Sequence, residues 1–342
     1  MKLGLVGYGF GGRVFHEPFI DAADGVEVAA VVARSPDKIA QINERLPDVP
    51  VFASLTELID AKIVDMVTIT TPPETHKPLA LEAINAGLHV ICDKPFAPTL
   101  DDAREMAQAA KDNGVLLNVF HNRRWDTDFR TAKHLIDTGQ LGDIWRVHNR
   151  MDFDDWVTLE VGPGGGLLRD LGSHVIDQML FQFGPAAAVD AQVEYVDLPG
   201  GTTDASFVVH VRHKSGVHSY ISASKINYFT EREIRVYGSK GCFVVNGTDV
   251  QAGAAINGKR PADDPENWGI EPKEAWGTLY TEGKAETVPS VQSRIYDLYT
   301  QFAHDAQTGG KGPVPIETAI HTVAVLDAAR AAARTGKTVI LE

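Results

Sequence analysis

Residues 166–178 read Gly-Leu-Leu-Arg-Asp-Leu-Gly-Ser-His-Val-Ile-Asp-Gln, which places Asp170 and His174 four positions apart. If this stretch is helical, both side chains leave the same face of the helix. Earlier in the chain, Asp93-Lys94-Pro95 follows the apolar run 88–92. A lysine, a carboxylate and an imidazole are together able to exchange a proton with a substrate hydroxyl group. The pattern indicates hydroxyl chemistry, whereas Asp170 and His174 alone could simply decorate the surface of a helix.

A glycine-rich turn directly follows the first apolar run of the chain. Residues 7–12 read Gly-Tyr-Gly-Phe-Gly-Gly and fit the pattern G-x-G-x-x-G. Such glycines allow a tight turn and let backbone N–H groups approach a pyrophosphate at the N-terminus of the next helix. We therefore predict a dinucleotide-binding loop formed by Gly7, Tyr8, Gly9, Phe10, Gly11 and Gly12.

The end of the second predicted strand bears on which dinucleotide is bound. NAD usually requires an acid there for the ribose 2′-hydroxyl group, whereas the 2′-phosphate of NADP favours a cation. The chain instead carries Ala33, Arg34, Ser35 and, slightly later, Lys38. This composition favours NADP(H) over NAD(H), the alternative being that Arg34 is merely exposed to solvent.

Two further segments end predicted strands on the same edge of the sheet. Thr71 and Pro72 follow the strand 66–70 and precede His76, and Asp93 and Lys94 follow the strand 88–92. We expect the prolines to shape a turn beside the cofactor and Thr71 to offer a hydroxyl group. A purely structural turn is an equally good interpretation.

The elements that must position these residues follow two different patterns. Residues 1–121 alternate short apolar runs with helical patterns, which predicts a doubly wound parallel Rossmann sheet. After residue 121, the segments 189–196, 205–213, 217–224, 232–237 and 242–246 alternate in hydropathy and are separated by glycine-containing turns. The predicted fold is α/β, with a dinucleotide-binding domain over 1–121 and an α+β domain carrying a mostly antiparallel open sheet over 122–342.

Composition and charge exclude several classes of protein. The 342 residues carry 46 acidic and 32 basic side chains, a net charge of −14, without a basic run. This argues against nucleic-acid partners and anionic membrane surfaces. Cys92 and Cys242 are the two cysteines, so we expect neither a disulfide framework nor a metal site. With no membrane-length apolar stretch and no room for a signal peptide before the glycine turn, we expect a cytoplasmic protein.

Taken together, the motifs resemble the Gfo/Idh/MocA family, named after glucose–fructose oxidoreductase, inositol dehydrogenase and a rhizopine-catabolism protein. The resemblance covers nearly the whole chain. It rests on residues 7–12, on Thr71-Pro72-Pro73 with His76, on Asp93-Lys94-Pro95, and on residues 165–177 with Asp170, Gly172, His174 and Asp177. Residues 11–16 and 122–126 are most similar to the branch that contains the NADP-dependent scyllo-inositol dehydrogenases.

The resemblance implies a substrate domain whose open sheet often mediates homodimers or homotetramers. It also implies that Lys94 contacts substrate and ribose, with Asp93 in place of the usual glutamate. By the same resemblance, substrate contacts fall near Asn122, Arg123, Asp152 and Tyr228. The segment 154–166 is shorter and less basic than this branch predicts, so a substrate other than inositol stays open.

From these residues we predict an NADP(H)-dependent oxidoreductase acting on a cyclic polyol or sugar. His174 is the expected general base, because the pKa of an unperturbed histidine is closest to neutrality. Lys94 would stabilise the developing charge on the substrate oxygen, and Asp170 would orient His174 or hold a neighbouring hydroxyl group. Lys94 as the proton donor is the competing assignment. Two alternatives are a non-catalytic NAD(P)-binding sensor and an enzyme that oxidises a sugar transiently.

Overall fold

The computed structural model describes residues 1–162 and 164–341, and the chain divides into two compact units. The first unit comprises Met1–His121, Gln251–Trp268 and Arg294–Ile320. The second comprises Asn122–Val250, Gly269–Ser293 and the chain from residue 321 onward.

The first unit is built on a parallel sheet. Its strands are β1 (Lys2–Val6), β2 (Glu27–Val32), β3 (Val51–Phe52), β4 (Met66–Ile69), β5 (His89–Cys92) and β6 (Leu117–Val119). Their order across the sheet is β3-β2-β1-β4-β5-β6, and every pairing is parallel. All four residues of β4 are buried, as expected for a strand covered on both faces. The predicted Rossmann sheet is confirmed, and its strand order reverses between β1 and β4, where such sheets bind ligands.

Helices connect these strands, and several of their ends were predictable. They are α1 (Glu17–Asp21), α2 (Pro36–Arg45), α3 (Leu55–Ala61), α4 (His76–Asn85) and α5 (Leu100–Asp112). The hydroxyl groups of Ser54 and Thr99 accept hydrogen bonds from backbone N–H groups at the starts of α3 and α5, so both residues are N-caps, a role that serine and threonine favour. Gly87 and Gly114 follow α4 and α5 with positive φ angles of 81° and 66°, a conformation that favours glycine.

The second unit is built on a nine-stranded, mostly antiparallel sheet, as predicted. Its strands are β7 (Ile144–Asp154), β8 (Ala186–Leu198), β9 (Gly201–His213), β10 (His218–Ser224), β11 (Ile226–Gly238), β12 (Cys242–Val245), β13 (Gly277–Thr281), β14 (Lys284–Val288) and β15 (Val339–Ile340). The order is β14-β13-β12-β11-β7-β10-β9-β8-β15, and only β7 and β10 pair in parallel. The hairpin of β13 and β14 had not been predicted from the sequence.

Helices cover one face of this sheet. They are α6 (Thr127–Asp137), α7 (Leu167–Asp170) and α8 (Gly172–Phe183). Phe207 and Val209 of β9 point into a core that includes Phe129 of α6 and Ile176 of α8. Alternate residues such as Val208, which is 47% exposed, point to the other face.

Two later segments complete the first unit with α9 (Val250–Ile256) and α10 (Asp297–Thr308). Trp268, at the end of the first of these segments, is buried. The Trp268 indole is 6% exposed, lies 5.9 Å from the Phe19 ring, and donates a hydrogen bond to Gln251 Oε1 at 3.0 Å. The last helix, α11 (Ile316–Thr335), places Val325 in the core of the second unit.

Candidate active site

The glycine loop lies where the strand order of the parallel sheet reverses. It leaves β1 through Gly7, whose φ of 102° is accessible to glycine but strained for other residues. A Cβ atom at Gly12 would lie 2.6 Å from the carbonyl oxygen of Gly7 and 2.8 Å from Thr70 Oγ1. Thr70 in turn donates a hydrogen bond to that carbonyl at 3.0 Å. Gly7 and Gly12 are therefore required by the close packing of the loop itself.

Gly9 has a different environment from Gly7 and Gly12. Within residues 1–162 and 164–341, no atom outside Tyr8, Gly9 and Phe10 lies within 4 Å of the position that a Cβ atom would take at Gly9. Packing within the protein therefore does not account for this glycine, whereas the approach of a pyrophosphate to the backbone does. Of the two aromatic residues in the loop, Tyr8 is buried and Phe10 is 55% exposed. The loop fits a bound dinucleotide.

The residues expected to select the cofactor follow β2. Ala33 is half-buried, Arg34 and Ser35 are exposed, and Lys38 lies in the first turns of α2. None of residues 33–36 is acidic. The exposed guanidinium group of Arg34 is thus available to an anionic group at this edge of the sheet.

His76 joins the turns that follow β4 and β5. Its Nδ1 atom lies 3.0 Å from the carbonyl oxygen of Pro95, and its Nε2 atom lies 2.8 Å from that of Thr71. The imidazole is fully buried. Thr71 Oγ1 also contacts Thr75 Oγ1 at 2.6 Å, in the short 3₁₀ turn that follows Pro72. These two turns therefore form one connected edge.

Asp93 and Lys94 follow β5 on the same edge. Asp93 Oδ2 lies 3.2 Å from His16 Nε2, and Asp93 Oδ1 accepts a hydrogen bond from the Lys94 backbone N–H at 2.7 Å. Burial raises the pKa of the Asp93 carboxyl group, but its interactions with His16, Lys94 and His76 outweigh burial and lower the pKa overall. Asp93 is therefore an anion beside the half-buried Lys94.

In the second unit, Asp170 and His174 lie on two consecutive helical segments, and not on one continuous helix over the stretch 166–178. Asp170 ends α7, and His174 lies in the first turn of α8. The backbone N–H of Val175 still bonds to the carbonyl group of Leu171, so the helical path continues across the break. The Asp170 side chain is 39% exposed, whereas His174 is 6% exposed.

Lys225 contacts Asp170 and was not anticipated from the sequence. Its Nζ atom lies 3.0 Å from Asp170 Oδ2 and 2.7 Å from Thr158 Oγ1. The Lys225 side chain is 7% exposed. Lys225 directly follows β10, whose last residue Ser224 pairs with Asp152 across the parallel strands, and no local pattern in the sequence indicates its contact with Asp170.

Asp152 lies in the same polar region of the second unit. It is 5% exposed, and burial raises the pKa of its carboxyl group although Arg150, Asn227 and the Ser224 backbone oppose that effect. Arg150 also forms an ion pair with Glu231.

Arg123 belongs to a buried ion-pair cluster. Its guanidinium group contacts Asp126 Oδ2 at 3.1 Å and Asp249 Oδ2 at 2.7 Å. Arg232 contacts Asp126 at 2.8 Å and Asp128 at 3.1 Å. Burial raises the pKa of Asp126 to about 6 against the opposing effect of both guanidinium groups. The Arg123 charge is thus largely balanced by carboxylates of its own unit.

The two other expected substrate contacts differ in exposure. Asn122 Oδ1 is buried without a hydrogen-bond partner among residues 1–162 and 164–341. Tyr228 is 79% exposed and has a φ of 57°, within a break in the pairing of β11 with β7. Its ring centroid lies 6.3 Å from that of Trp156.

A buried ion pair fixes the short turn Asn122–Trp125 to α8. Arg124 Nε and Arg124 Nη2 each donate to an oxygen of Asp177 at 2.7 Å, and both side chains are 1% exposed. Gln178 Nε2 also donates to the carbonyl oxygen of Arg123 at 2.6 Å. Two neighbouring side chains of α8, Asp177 and Gln178, therefore hold residues 122–125 against the helix that bears His174.

Two further properties concern the described part of the chain. Among residues 1–162 and 164–341, no three histidine, cysteine or acidic side chains are placed to hold a metal ion. No helix in these ranges combines the length and the hydropathy that crossing a bilayer requires.

Comparison with known proteins identifies relatives of both halves of the chain. A family profile described as the oxidoreductase family with an NAD-binding Rossmann fold matches residues 1–121. A second profile, described as the GFO/IDH/MocA C-terminal domain, matches residues 129–244.

Individual relatives match most or all of the chain. The chain is 33% identical to scyllo-inositol 2-dehydrogenase (NADP(+)) of Bacillus subtilis, covering 100% of this chain and 96% of that protein. It is 27% identical to 1,5-anhydro-D-fructose reductase of Ensifer adhaerens, covering 82% and 88%. The solved structure of a Bacillus subtilis oxidoreductase superposes with a TM-score of 0.90 at 31% identity over 100% of both chains. The chain therefore belongs to the Gfo/Idh/MocA family of oxidoreductases.

Proposed function

We propose that this protein is an NADP(H)-dependent dehydrogenase or reductase of a cyclic polyol or sugar. The observation that carries the proposal is the pairing of an open glycine loop at the reversal of the parallel sheet with the Asp93–Lys94 turn on the same edge. The names of two relatives, a scyllo-inositol 2-dehydrogenase (NADP(+)) and a 1,5-anhydro-D-fructose reductase, support the class of substrate.

The residues that would hold the cofactor belong to the first unit. Backbone N–H groups of residues 9–12 would bind the pyrophosphate, since Gly9 leaves the approach to them open. Arg34 and Ser35 would bind the 2′-phosphate, because a guanidinium group pairs well with a phosphate. Thr71, Pro72, His76 and Asp93 would line the nicotinamide side. The bound nicotinamide supplies or accepts the hydride.

The proton is handled by side chains of the protein. His174 would take the proton from the substrate hydroxyl group during oxidation and return it during reduction. Lys94 would donate a hydrogen bond to the same oxygen and stabilise its negative charge. Asp170, held by Lys225 at 3.0 Å, would orient a substrate hydroxyl group or His174. Asn122, Arg123, Asp152 and Tyr228 remain proposed substrate contacts.

Steady-state kinetics test this proposal. Turnover should be measured with NADP(H) and NAD(H) across inositols, inososes, aldoses and ketosugars. We expect selective turnover of one ring polyol or its ketone, with kcat/KM higher for NADP(H). His174→Ala should lower kcat by about 10²–10⁴-fold, the usual contribution of general acid–base catalysis. Near-normal kcat in that variant would refute the role of His174, and tight dinucleotide binding without turnover would favour a sensor.

The choice of cofactor has its own test. Arg34→Asp replaces the proposed phosphate contact by the acid that NAD-binding proteins usually carry. We expect kcat/KM for NADP(H) to fall by at least about tenfold relative to NAD(H), since a hydrogen bond to a charged group contributes about 1.5–3 kcal/mol. Arg45→Asp, at the end of α2, is the control that changes net charge equally. Equal preferences in the two variants would contradict a role for Arg34.

We also propose that the protein forms a homodimer or homotetramer through the uncovered face of the nine-stranded sheet. Tyr220 on this face stacks between His148 and His210, with ring centroids 4.9 and 4.7 Å apart. Trp145 on the same strand as His148 is 59% exposed. Sedimentation velocity of Tyr220→Glu against the parent protein tests the assembly. A monomeric parent protein at micromolar concentration would contradict it.

A further inference from the structure

His16 occupies a closed slot in the first unit. It ends the π-helical turn Gly12–His16 that follows the glycine loop, and it is fully buried. The Phe120 ring covers one side of the imidazole, with the two ring centroids 4.0 Å apart. A π-helical turn often accompanies a functional site, and here it places a titratable ring in the interior.

Both ring nitrogens of His16 have a polar neighbour. His16 Nδ1 lies 2.6 Å from the hydroxyl oxygen of Tyr299, and His16 Nε2 lies 3.2 Å from Asp93 Oδ2. An ionised carboxylate only accepts hydrogen bonds, so Nε2 must carry the proton. In the neutral ring Nδ1 then accepts from the Tyr299 hydroxyl group. Burial raises the pKa of that hydroxyl group, which keeps its proton in place.

We propose that Tyr299 and His16 are positioning residues that fix Asp93, and through it Lys94. The chain of donors runs from the Tyr299 hydroxyl group to His16 Nδ1, and His16 Nε2–H then faces the Asp93 carboxylate in an ion-pair contact of 3.2 Å. Asp93 Oδ1 continues it by accepting the Lys94 backbone N–H at 2.7 Å. The expected effect on catalysis rests on the proposed function, in which Lys94 binds the substrate oxygen. The contacts that link Tyr299, His16 and Asp93 are independent of that proposal.

The position of Asp93, the outermost residue of this chain of donors, supports a role in positioning the site and not only in stability. Tyr299 and His16 are fully buried, whereas the Asp93 side chain is 19% exposed. Asp93 Oδ2 lies 3.6 Å from the position that a Cβ atom would take at Gly11. One carboxylate therefore contacts the buried histidine and the Lys94 backbone and lies beside Gly11 of the glycine loop. We therefore expect a shift of the histidine to displace the carboxylate that holds the Lys94 backbone.

Tyr299→Phe tests the chain by removing one hydroxyl group. Because small displacements of a catalytic group cost up to about 100-fold in rate, we expect kcat to fall by about 10-fold to 100-fold with a smaller change in KM. Tyr296→Phe removes another buried tyrosine hydroxyl group of the same segment and should leave kcat unchanged. In an Asp93→Ala background Tyr299→Phe should have no further effect, because linked residues are not additive. An equal loss of kcat in both phenylalanine variants, or full additivity with Asp93→Ala, would overturn the proposal.

Nitrogen NMR of histidine-labelled protein separates this inference from the proposed function, because it needs no substrate. We expect the His16 signals to report a proton on Nε2 and an accepting Nδ1. Tyr299→Phe should shift the Nδ1 resonance, and Asp93→Ala should shift the Nε2 resonance. A proton on Nδ1 would overturn the proposed direction of the chain, and with it the proposal. The expected pattern without turnover on any substrate would refute only the proposed function.

Discussion

Asp177→Asn removes the charge that balances Arg124 while keeping the shape of the side chain. Arg124 and Asp177 form two hydrogen bonds of 2.7 Å, and both side chains are 1% exposed. Thr322 also donates to Asp177 Oδ1 at 3.3 Å, and the Arg124 guanidinium group lies 4.5 Å from the centroid of the Phe181 ring. The variant therefore leaves a guanidinium group in a site closed to water.

The magnitude follows from that burial. Removing one partner of a buried ion pair costs about 3–5 kcal/mol, because the remaining charge loses its compensation. We expect the free energy of unfolding of Asp177→Asn, from urea denaturation, to fall by this amount. The double variant Arg124→Met with Asp177→Leu removes both charges and should recover most of the loss, since apolar replacements of buried pairs are often neutral or stabilising.

Lys133→Ala is the matched control, because Lys133 forms an ion pair with Asp137 at 2.8 Å that is partly exposed. Such a pair contributes about 0.2–1 kcal/mol. A loss below about 1 kcal/mol in Asp177→Asn, or a double variant less stable than the single one, would refute the reasoning. The result also bears on the site, since this pair joins α8, which bears His174, to residues 122–125.

Three other predictions concern separate parts of the molecule. Burial lowers the pKa of His213 from 6.5 to about 4, so between these pH values the unfolded chain binds a proton that the folded protein does not. The free energy of unfolding should therefore fall by up to about 3 kcal/mol as the pH is lowered from 6.5 to 4. His213→Gln should remove this pH dependence from urea denaturation, and an unchanged dependence would exclude His213 as its source. Gly9→Ala should fold normally but bind NADPH at least about tenfold more weakly in a fluorescence titration, and wild-type affinity would contradict the proposed approach of the pyrophosphate. Gly12→Ala should instead lose about 1–3 kcal/mol of stability, because its Cβ atom would lie 2.6 Å from the carbonyl oxygen of Gly7. Lys225→Met should lower kcat/KM by about tenfold, because Asp170 loses a charged hydrogen bond. The control Lys214→Met, at an exposed lysine, should leave kcat/KM unchanged. Equal kcat/KM values in the two variants would show that the Lys225–Asp170 pair has no part in the reaction.

Local signals in the sequence were sufficient for much of the parallel sheet. Its buried strands are short apolar runs, and the capping residues Ser54 and Thr99 act through neighbours three residues away. In both cases, the residues that determine the local structure are only a few positions apart in the sequence. β3 was missed because Val51–Phe52 is too short to show any periodicity.

Contacts between distant parts of the chain were not predictable in the same way. Lys225 and Asp170 are 55 positions apart, and His16 and Tyr299 are 283 positions apart. No local pattern marks such pairs, because each residue alone is compatible with a solvated surface. For Arg123, the family resemblance predicts a substrate contact. The structure adds that Asp126 and Asp249 form ion pairs with its guanidinium group, and Asp249 is far from it in the sequence.

The first unit is assembled from three separated stretches of chain, and this affects how it is made. A ribosome that has released residues 1–121 has produced all six strands of the parallel sheet but neither Trp268 nor Tyr299, which pack against Phe19 and His16. Until residue 299 has emerged, at least one of those two buried sites exposes apolar and polar groups that the finished unit covers. Nascent chains of this protein should therefore depend on chaperones for most of their synthesis. A fragment comprising residues 1–121 alone should aggregate instead of yielding a free nucleotide-binding domain.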